Sequence, residues 1–349
     1  MNESRGQDVF AHLSGQDDNL GDSALRAAYF SAAQGAGRRF HLHFGPQSDD
    51  YLSGLPLKPA HRIYPDPASW LESCRSATRP VLLFNSGELN PLPGEYPRRE
   101  LQTQVEQVLD RRGIVIIAGA GLRDPSIVGQ LDIHPGLREA AVVSWRDEVS
   151  RDAAGFGDVA PDWGFALGAP TSGWPAHESR QLLAVTLRYD RPWPGDAWIA
   201  AVRDLAAQTS TKIVTLAQVS RDAPRAVRLA EALGGDYRTP PSMRHADLDA
   251  YARAVYRQSV AVVSDRAHGL IIGATEGAYP LGTAADPQKI TRLLAIAGLG
   301  NVVGRHDQLP ELAQRLPSQL SGLAPAVDTA RESIARLGVR MRTAMSAVA

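Results

Sequence analysis

The chain has 349 residues, 44% of them apolar and 21% charged, with Lys plus Arg (37) almost cancelling Asp plus Glu (38). That balance gives no reason to expect nucleic acid or an anionic membrane as an electrostatic partner. A single cysteine, Cys74, rules out an intramolecular disulfide and a thiolate metal cluster.

Met1 to Gln16 is polar and lacks the apolar centre of a signal peptide. No run approaches the roughly 18 apolar residues of a membrane span. The expectation is a soluble cytoplasmic protein that touches the inner face of a membrane at most peripherally. Its length exceeds that at which one core stops growing, so two domains are expected.

Short apolar runs alternate with helical patterns along the chain. Predicted strands are Phe40–Phe44, Val81–Phe84, Ile114–Ala118, Ala141–Ser144, Leu182–Leu187, Lys212–Ala217 and Val260–Ser264. Most are almost continuously hydrophobic, the pattern of a parallel sheet covered on both faces. Helices are predicted over Ser23–Gln34, Glu100–Arg112, Ala197–Gln208, Ala223–Leu233, Leu248–Gln258 and Pro287–Gly298. The polar stretch Gly168–Arg180 (GAPTSGWPAHESR) is the best boundary. The fold class is therefore α/β: two Rossmann-like domains facing each other across a cleft. Residues 1–175 form the first domain and 176–324 the second. Residues 325–349 form a C-terminal helix packing back on the body, with Val327, Ala330, Ile334, Leu337, Met341 and Met345 as its apolar stripe. Gly338 weakens that helix.

Four segments could carry chemistry. The loop Gln16–Ser23 runs directly into a helix whose first-turn N–H groups can hold an anion or hydroxyl, with Asn19 or Asp22 as cap and Gly21 as conformational freedom. From that loop alone the stronger reading is the bland one, an acidic N-cap that merely starts a helix. Val262–Leu270 ends a buried strand and turns into a helix, the place where open α/β sheets bind ligands. There Arg266 offers a planar fork for a carboxylate or phosphate and His268 can pass protons. The structural alternative is an Arg266–Asp265 pair beside a helix-capping His268. Arg146 and Arg188 end two further strands and face the cleft if the domains are placed as expected. Lastly, Phe84–Leu89 puts small residues and Glu88 after a strand, where a sugar could approach.

Other readings fail on the residues. His41 and His43 have no third ligand at metal spacing, so no metal is assigned. Gly119–Ala120–Gly121 lacks the rest of a dinucleotide fingerprint. No Walker loop, Gly-x-Ser-x-Gly or cysteine nucleophile motif occurs. Trp193–Trp198 reads as a helix start and packing element.

Five segments in order resemble the polysaccharide pyruvyltransferase family. Asp18–Asn19–Leu20–Gly21–Asp22 looks like its Asn-x-Gly-Asp element, Arg146–Asp147–Glu148–Val149–Ser150 its Arg-Asp/Glu-x-x-Ser element, and Pro161–Asp162 the Pro-Asp that follows. Ala184–Arg188 resembles the strand-Arg that opens the second half. Asp265–Arg266–Ala267–His268–Gly269 stands where the family has Asp-Arg-x-His-Gly. Departures are Ala267 in place of leucine, Asn85–Ser86–Gly87 in place of Gly-Gly-Gly, and the segment after Pro280.

The resemblance implies a GT-B-like transferase that moves the pyruvyl group of phosphoenolpyruvate onto two hydroxyls of a cell-surface polysaccharide or its precursor, forming a cyclic ketal. Phosphoenolpyruvate is a co-substrate, and no cofactor is called for. Arg188, Arg266, His268, Gly269 and Arg146 would hold the donor, with His268 and Arg266 catalytic. Asp18, Asn19, Gly21, Asp22 and Glu88 would meet the saccharide acceptor, which is lipid- or nucleotide-linked. Two rivals stand beside this reading. One is a nucleotide-sugar glycosyltransferase of the same fold, with Glu276 binding ribose; the other is a catalytically dead scaffold of polysaccharide assembly.

Overall fold

A computed structural model describes residues 6–349. The first five residues of the polar N-terminal stretch lie outside the described residues. Among the described residues, sixteen strands form two large parallel sheets and one small one. The first sheet contains β1 (Gln7–His12), β2 (Arg38–His43), β3 (Arg62–Tyr64), β4 (Val81–Leu83), β5 (Gly87–Leu89), β7 (Ile114–Leu122), β9 (Val142–Trp145) and β10 (Asp158–Val159). β6 (Gly94–Tyr96) and β8 (Leu131–Ile133) pair separately. The second sheet contains β11 (Leu182–Thr186), β12 (Lys212–Thr215), β13 (Asp236–Tyr237), β14 (Ser259–Ser264), β15 (Tyr279–Thr283) and β16 (Val303–Gly304).

All seven predicted strands are present. The sequence reading missed β1, and β1 sits near the middle of its sheet, paired in parallel with β2 and β4. Gln7, Asp8 and His12 make it look polar. Gln7 and Asp8 are nonetheless buried because each has a partner: Gln7 donates to the Met345 carbonyl at 2.5 Å, and Asp8 receives Arg39 and His41. β15 also escaped notice, because Pro280 and Gly282 read as strand breakers.

Sheet order decides where ligands can sit. The first sheet runs β10-β9-β7-β4-β1-β2-β3 and the second β13-β12-β11-β14-β15-β16. In each, the chain winds one way and then reverses, between β1 and β4 in the first and between β11 and β14 in the second. The crevice beyond the carboxyl ends of strands at such a reversal is the ligand position of open α/β sheets. The polar stretch Gly168–Arg180 lies in the connection between β10 and β11, a series of short turns.

The C-terminal helix begins earlier than predicted, running Leu309–Ser346 straight through Pro317 and Pro325. Its predicted stripe is fully buried, from Val327 to Met345. Gly338 faces Ala32 of the first helix, Leu20–Ala33; a Cβ there would make an ordinary 3.6 Å contact with the Cβ of Ala32, so this packing does not itself require glycine. Arg342 donates to the Ala32 carbonyl at 3.0 Å in the same contact. One continuous core runs from Val9 and Ile116 through Trp163 and Phe165 to Val262 and Met341, so both sheets share it.

Replacing buried Met341 by alanine should cost about 2–5 kcal/mol in denaturant unfolding. Replacing Val339, 53% exposed on the other face, should change stability by less than about 0.5 kcal/mol. Equal effects at the two positions would show that this stripe does not dock the helix.

Candidate functional site

Between the two sheets lies a cleft of about 550 Å³. The loops after β1 and β4 supply Ser14, Asn19 and Asn85 from one side, and the ends of β11 and β14 supply Arg188, Arg266 and His268 from the other. Thr186 pairs with Ser264 in the second sheet. Arg188 and Arg266, each two residues further on, therefore emerge side by side at the reversal point.

His268 lies in the first turn of the helix Ala267–Thr275, against the first turn of the helix Leu20–Ala33. Gly21 is what allows that approach, since a Cβ on it would stand 2.4 Å from both Cβ and Nδ1 of the imidazole. Nε2 is buried and lies 3.5 Å from Oδ1 of Asp162. Nδ1 lies against the Gly21 backbone. Burial opposes ionisation of Asp162, but charge from His268 and Arg146 and the Gly164 N–H outweigh it and hold the carboxyl far below its usual range. The Asp162 carboxylate, 3.5 Å from Nε2, holds the orientation of the ring.

Arg188 and Arg266, expected as donor-binding cations, are each already paired with a carboxylate. Arg266 grips buried Asp222 through Nε and Nη2, the latter at 2.7 Å. Arg188 makes the same fork to Asp190 at 2.9 and 2.7 Å. In both, the carboxylate takes the Nε/Nη2 edge, and no partner is recorded for Nη1 among the described residues. Each arginine is oriented and half-neutralised. The alternative Arg266–Asp265 pair is not formed; Asp265 instead accepts the Arg188 backbone N–H at 2.8 Å. Arg146 crosses Gly121, whose absent Cβ would meet its Nε at 2.6 Å, and donates to Asp162 at 3.0 Å. Gly269 packs close beneath, where a Cβ would lie 3.0 Å from Ser264 Oγ and Gln218 Oε1.

The predicted acceptor residues divide. Asn19 caps its helix through Gly21 N–H at 3.1 Å and lines the cleft with Asp22, which takes the Gln16 N–H at 2.7 Å. Asp18 is a correction. Rather than lining the cleft, it is held in a two-point ion pair with Arg221 of the second half, at 2.7 and 2.9 Å. Beside it Asn19 forms an antiparallel bridge with Val219, and Leu20 N–H reaches the Gln218 carbonyl at 3.1 Å. That loop ties the halves together. Glu88 is in the cleft but already engaged by Lys289, Arg123 and Arg146.

Sequence reasoning missed Asp222, Arg26 and Lys289 as site residues, and quoted Asn85 and Asp162 only within longer segments. Arg26 links the first helix to Asn85 at 3.0 Å. Lys289 did carry a signal: it is one of three lysines in an arginine-rich chain, in the first turn of a helix following a strand. Glu276, the ribose candidate of the glycosyltransferase reading, lies fully buried under Arg253 and Arg257 and is not among the cleft residues. His41 and His43 are spent within the first half, on Asp8 and Tyr64. No helix among the described residues is long and apolar enough to cross a membrane.

No protein family profile matches the chain, and no curated protein matches it. Solved structures do. The glycotransferase of kitacinnamycin is similar over 97% of this chain and 98% of its own, with 13% identity and a TM-score of 0.53. The α,α-trehalose 6-phosphate synthase of Burkholderia multivorans is similar over 98% and 96%, with 11% identity and a TM-score of 0.52. A Listeria monocytogenes protein assigned as a UDP-N-acetylglucosamine 2-epimerase is similar over 92% and 90%, with 11% identity and a TM-score of 0.51. At such identities the likeness is one of fold. The chain has the two-lobed GT-B architecture.

Burial lifts the Asp265 carboxyl from 3.8 to about 6, against the pull of the Arg188 N–H and the neighbouring arginines. Between those values the folded chain keeps a proton that the unfolded chain has released. This group therefore costs stability as pH rises from about 4 to about 6, and the loss persists above. Asp265→Asn keeps an oxygen for Arg188. Its stability relative to wild type should grow over that interval, by at most about 3 kcal/mol. A difference that stays flat with pH would overturn the assignment.

Proposed function

We propose that the chain is a transferase acting on saccharides, and that its donor is phosphoenolpyruvate. What carries the reading is His268, with ionised Asp162 behind its Nε2, in one cleft with the oriented guanidinium groups of Arg188 and Arg266. Two adjacent arginine edges suit the carboxylate and phosphate of one small molecule. The Asp-Arg-Ala-His-Gly resemblance points to the same donor.

In the proposed reaction the imidazolium gives a proton to the methylene carbon of the enol, which becomes a methyl group. The central carbon becomes cationic, and a sugar hydroxyl bonds to it, returning a proton to the imidazole. The carbon–oxygen bond to phosphate then breaks and phosphate leaves with the electron pair. A second hydroxyl of the same sugar closes the ketal and passes its proton to the departing phosphate. Arg266 and Arg188 neutralise the departing phosphate. Asn19 and Asp22 present hydroxyls from the first half.

A second reading, glycosyl transfer from a nucleotide sugar, is supported by the GT-B fold shared with a glycotransferase and a trehalose 6-phosphate synthase. It loses Glu276 as ribose ligand, since that carboxylate is buried and doubly paired elsewhere. Thermal shift with phosphoenolpyruvate against a uridine diphosphate sugar separates the two donors: only the true donor should raise Tm in proportion to the logarithm of its concentration.

Phosphate release from phosphoenolpyruvate, followed against a saccharide panel with mass spectrometry of the product, tests the main reading. His268→Ala should lower turnover by about 10²–10⁴-fold with the unfolding transition retained. Gly21→Ala, whose methyl group displaces the imidazole, should lower it at least about tenfold while binding of phosphoenolpyruvate changes little. Wild-type turnover in His268→Ala would refute the acid–base role.

A further inference from the structure

Glu88 carries one negative charge among three cations. Arg123 Nε lies 2.6 Å from its Oε1, Lys289 Nζ touches its Oε2, and Arg146 Nη2 is 3.9 Å away. Arg123 and Lys289 have no other carboxylate within 4.0 Å among the described residues. Their side chains are 61% and 44% exposed at the cleft rim, whereas Arg146 is 4% exposed, with a buried Nε that lacks any hydrogen-bond partner. The arrangement is an anion site with one fixed wall and two movable ones, filled by a side chain of the protein itself.

Its position indicates what enters. Arg146 and His268 share Asp162, one through each carboxylate oxygen, at 3.0 and 3.5 Å. An anionic group on the Arg146 side therefore shares one cleft with the imidazole, with Asp162 between the two. A monoanion leaves positive charge uncompensated there, and a diphosphate ester carries two or three negative charges with several acceptor oxygens.

We propose that Glu88 is a displaceable internal anion, and that Lys289, Arg123 and Arg146 take the diphosphate of a diphosphate-linked saccharide that serves as acceptor. The assignment rests on the reading of this cleft as a saccharide transferase site. Entry of the diphosphate breaks the Glu88 contacts and gives each cation a phosphate oxygen in exchange. Glu88 then prevents small anions from occupying the subsite by charge alone.

The test is calorimetric titration of the whole chain with inorganic pyrophosphate at fixed ionic strength. Glu88→Gln removes the internal competitor and should tighten pyrophosphate at least about tenfold; a merely structural Glu88 would leave the affinity unchanged or weaken it. Arg123→Ala combined with Lys289→Ala, both at the exposed rim, should weaken it at least about tenfold. Phosphoenolpyruvate should not compete with pyrophosphate, and competition would assign the cluster to the donor and overturn the proposal. A uridine diphosphate hexose and a short prenyl diphosphate distinguish the carriers, since displacement by one identifies a nucleotide or a lipid. Displacement by neither overturns the diphosphate assignment. All these arms read binding, so they stand even if phosphoenolpyruvate proves not to be turned over.

Discussion

Two helices meet end to end across the cleft, and the missing side chain of Gly21 is what lets them. The first turn of the first half's opening helix lies against His268 in the first turn of Ala267–Thr275. Any larger residue at position 21 would overlap the imidazole, so this one contact sets how closely the halves approach where the strand reversals face each other. Around it the same loop is fastened by the Asn19–Val219 bridge, the Leu20–Gln218 hydrogen bond and the Asp18–Arg221 pair. The backbone contacts fix register, while the exposed ion pair adds little energy on its own. A residue that reads as a substrate ligand in sequence, Asp18, is in the fold part of the joint that builds the site.

The long C-terminal helix serves the same geometry from behind. Its stripe packs on both halves, and Arg342 fastens it to the Ala32 carbonyl on the helix that carries Gly21 at its other end. Burial of that stripe therefore constrains the helix whose first turn touches His268. Behind the second half, fully buried Glu276 pairs with Arg253 and with the more exposed Arg257 at the end of the His268 helix. Breaking such a cluster would leave an unpaired buried charge, a cost of several kcal/mol. It is therefore suited to holding that helix in place.

Much of this was legible in the chain, and the illegible parts have one common cause. The seven strands found from sequence are apolar runs, and their hydrophobicity is a local property. β1 was hidden because its polar ends acquire partners only in the fold: Gln7 from residue 345, Asp8 from residues 39 and 41. The Asp-Arg-Ala-His-Gly segment announced a strand end with an arginine and a histidine, and both line the cleft. What it could not announce was Asp222, 44 residues upstream of Arg266, or Asp162, more than 100 before His268. Charge partners that converge through topology leave no spacing to read. Helix ends at prolines failed for a related reason: Pro317 and Pro325 forfeit hydrogen bonds, and the tertiary packing of the whole helix outweighs that loss.

Pairing changes what kind of binding site the cleft is. A row of bare arginines would attract every anion through a long-range field and would weaken steeply with salt. Here Arg266 faces Asp222, Arg188 faces Asp190, and Lys289 and Arg123 face Glu88. The long-range attraction is reduced, while the direction of each guanidinium edge is fixed before any ligand arrives. Orientation set in advance lowers the entropy lost when the ligand's oxygens meet those edges. Selectivity then rests on matching geometry, which favours a ligand whose anionic groups reach several edges at once over a single small ion. The near-neutral composition of the whole chain and an anion-binding cleft are thus compatible, because Arg188 and Arg266 already face carboxylates and the local excess of positive charge is confined to the cluster around Glu88.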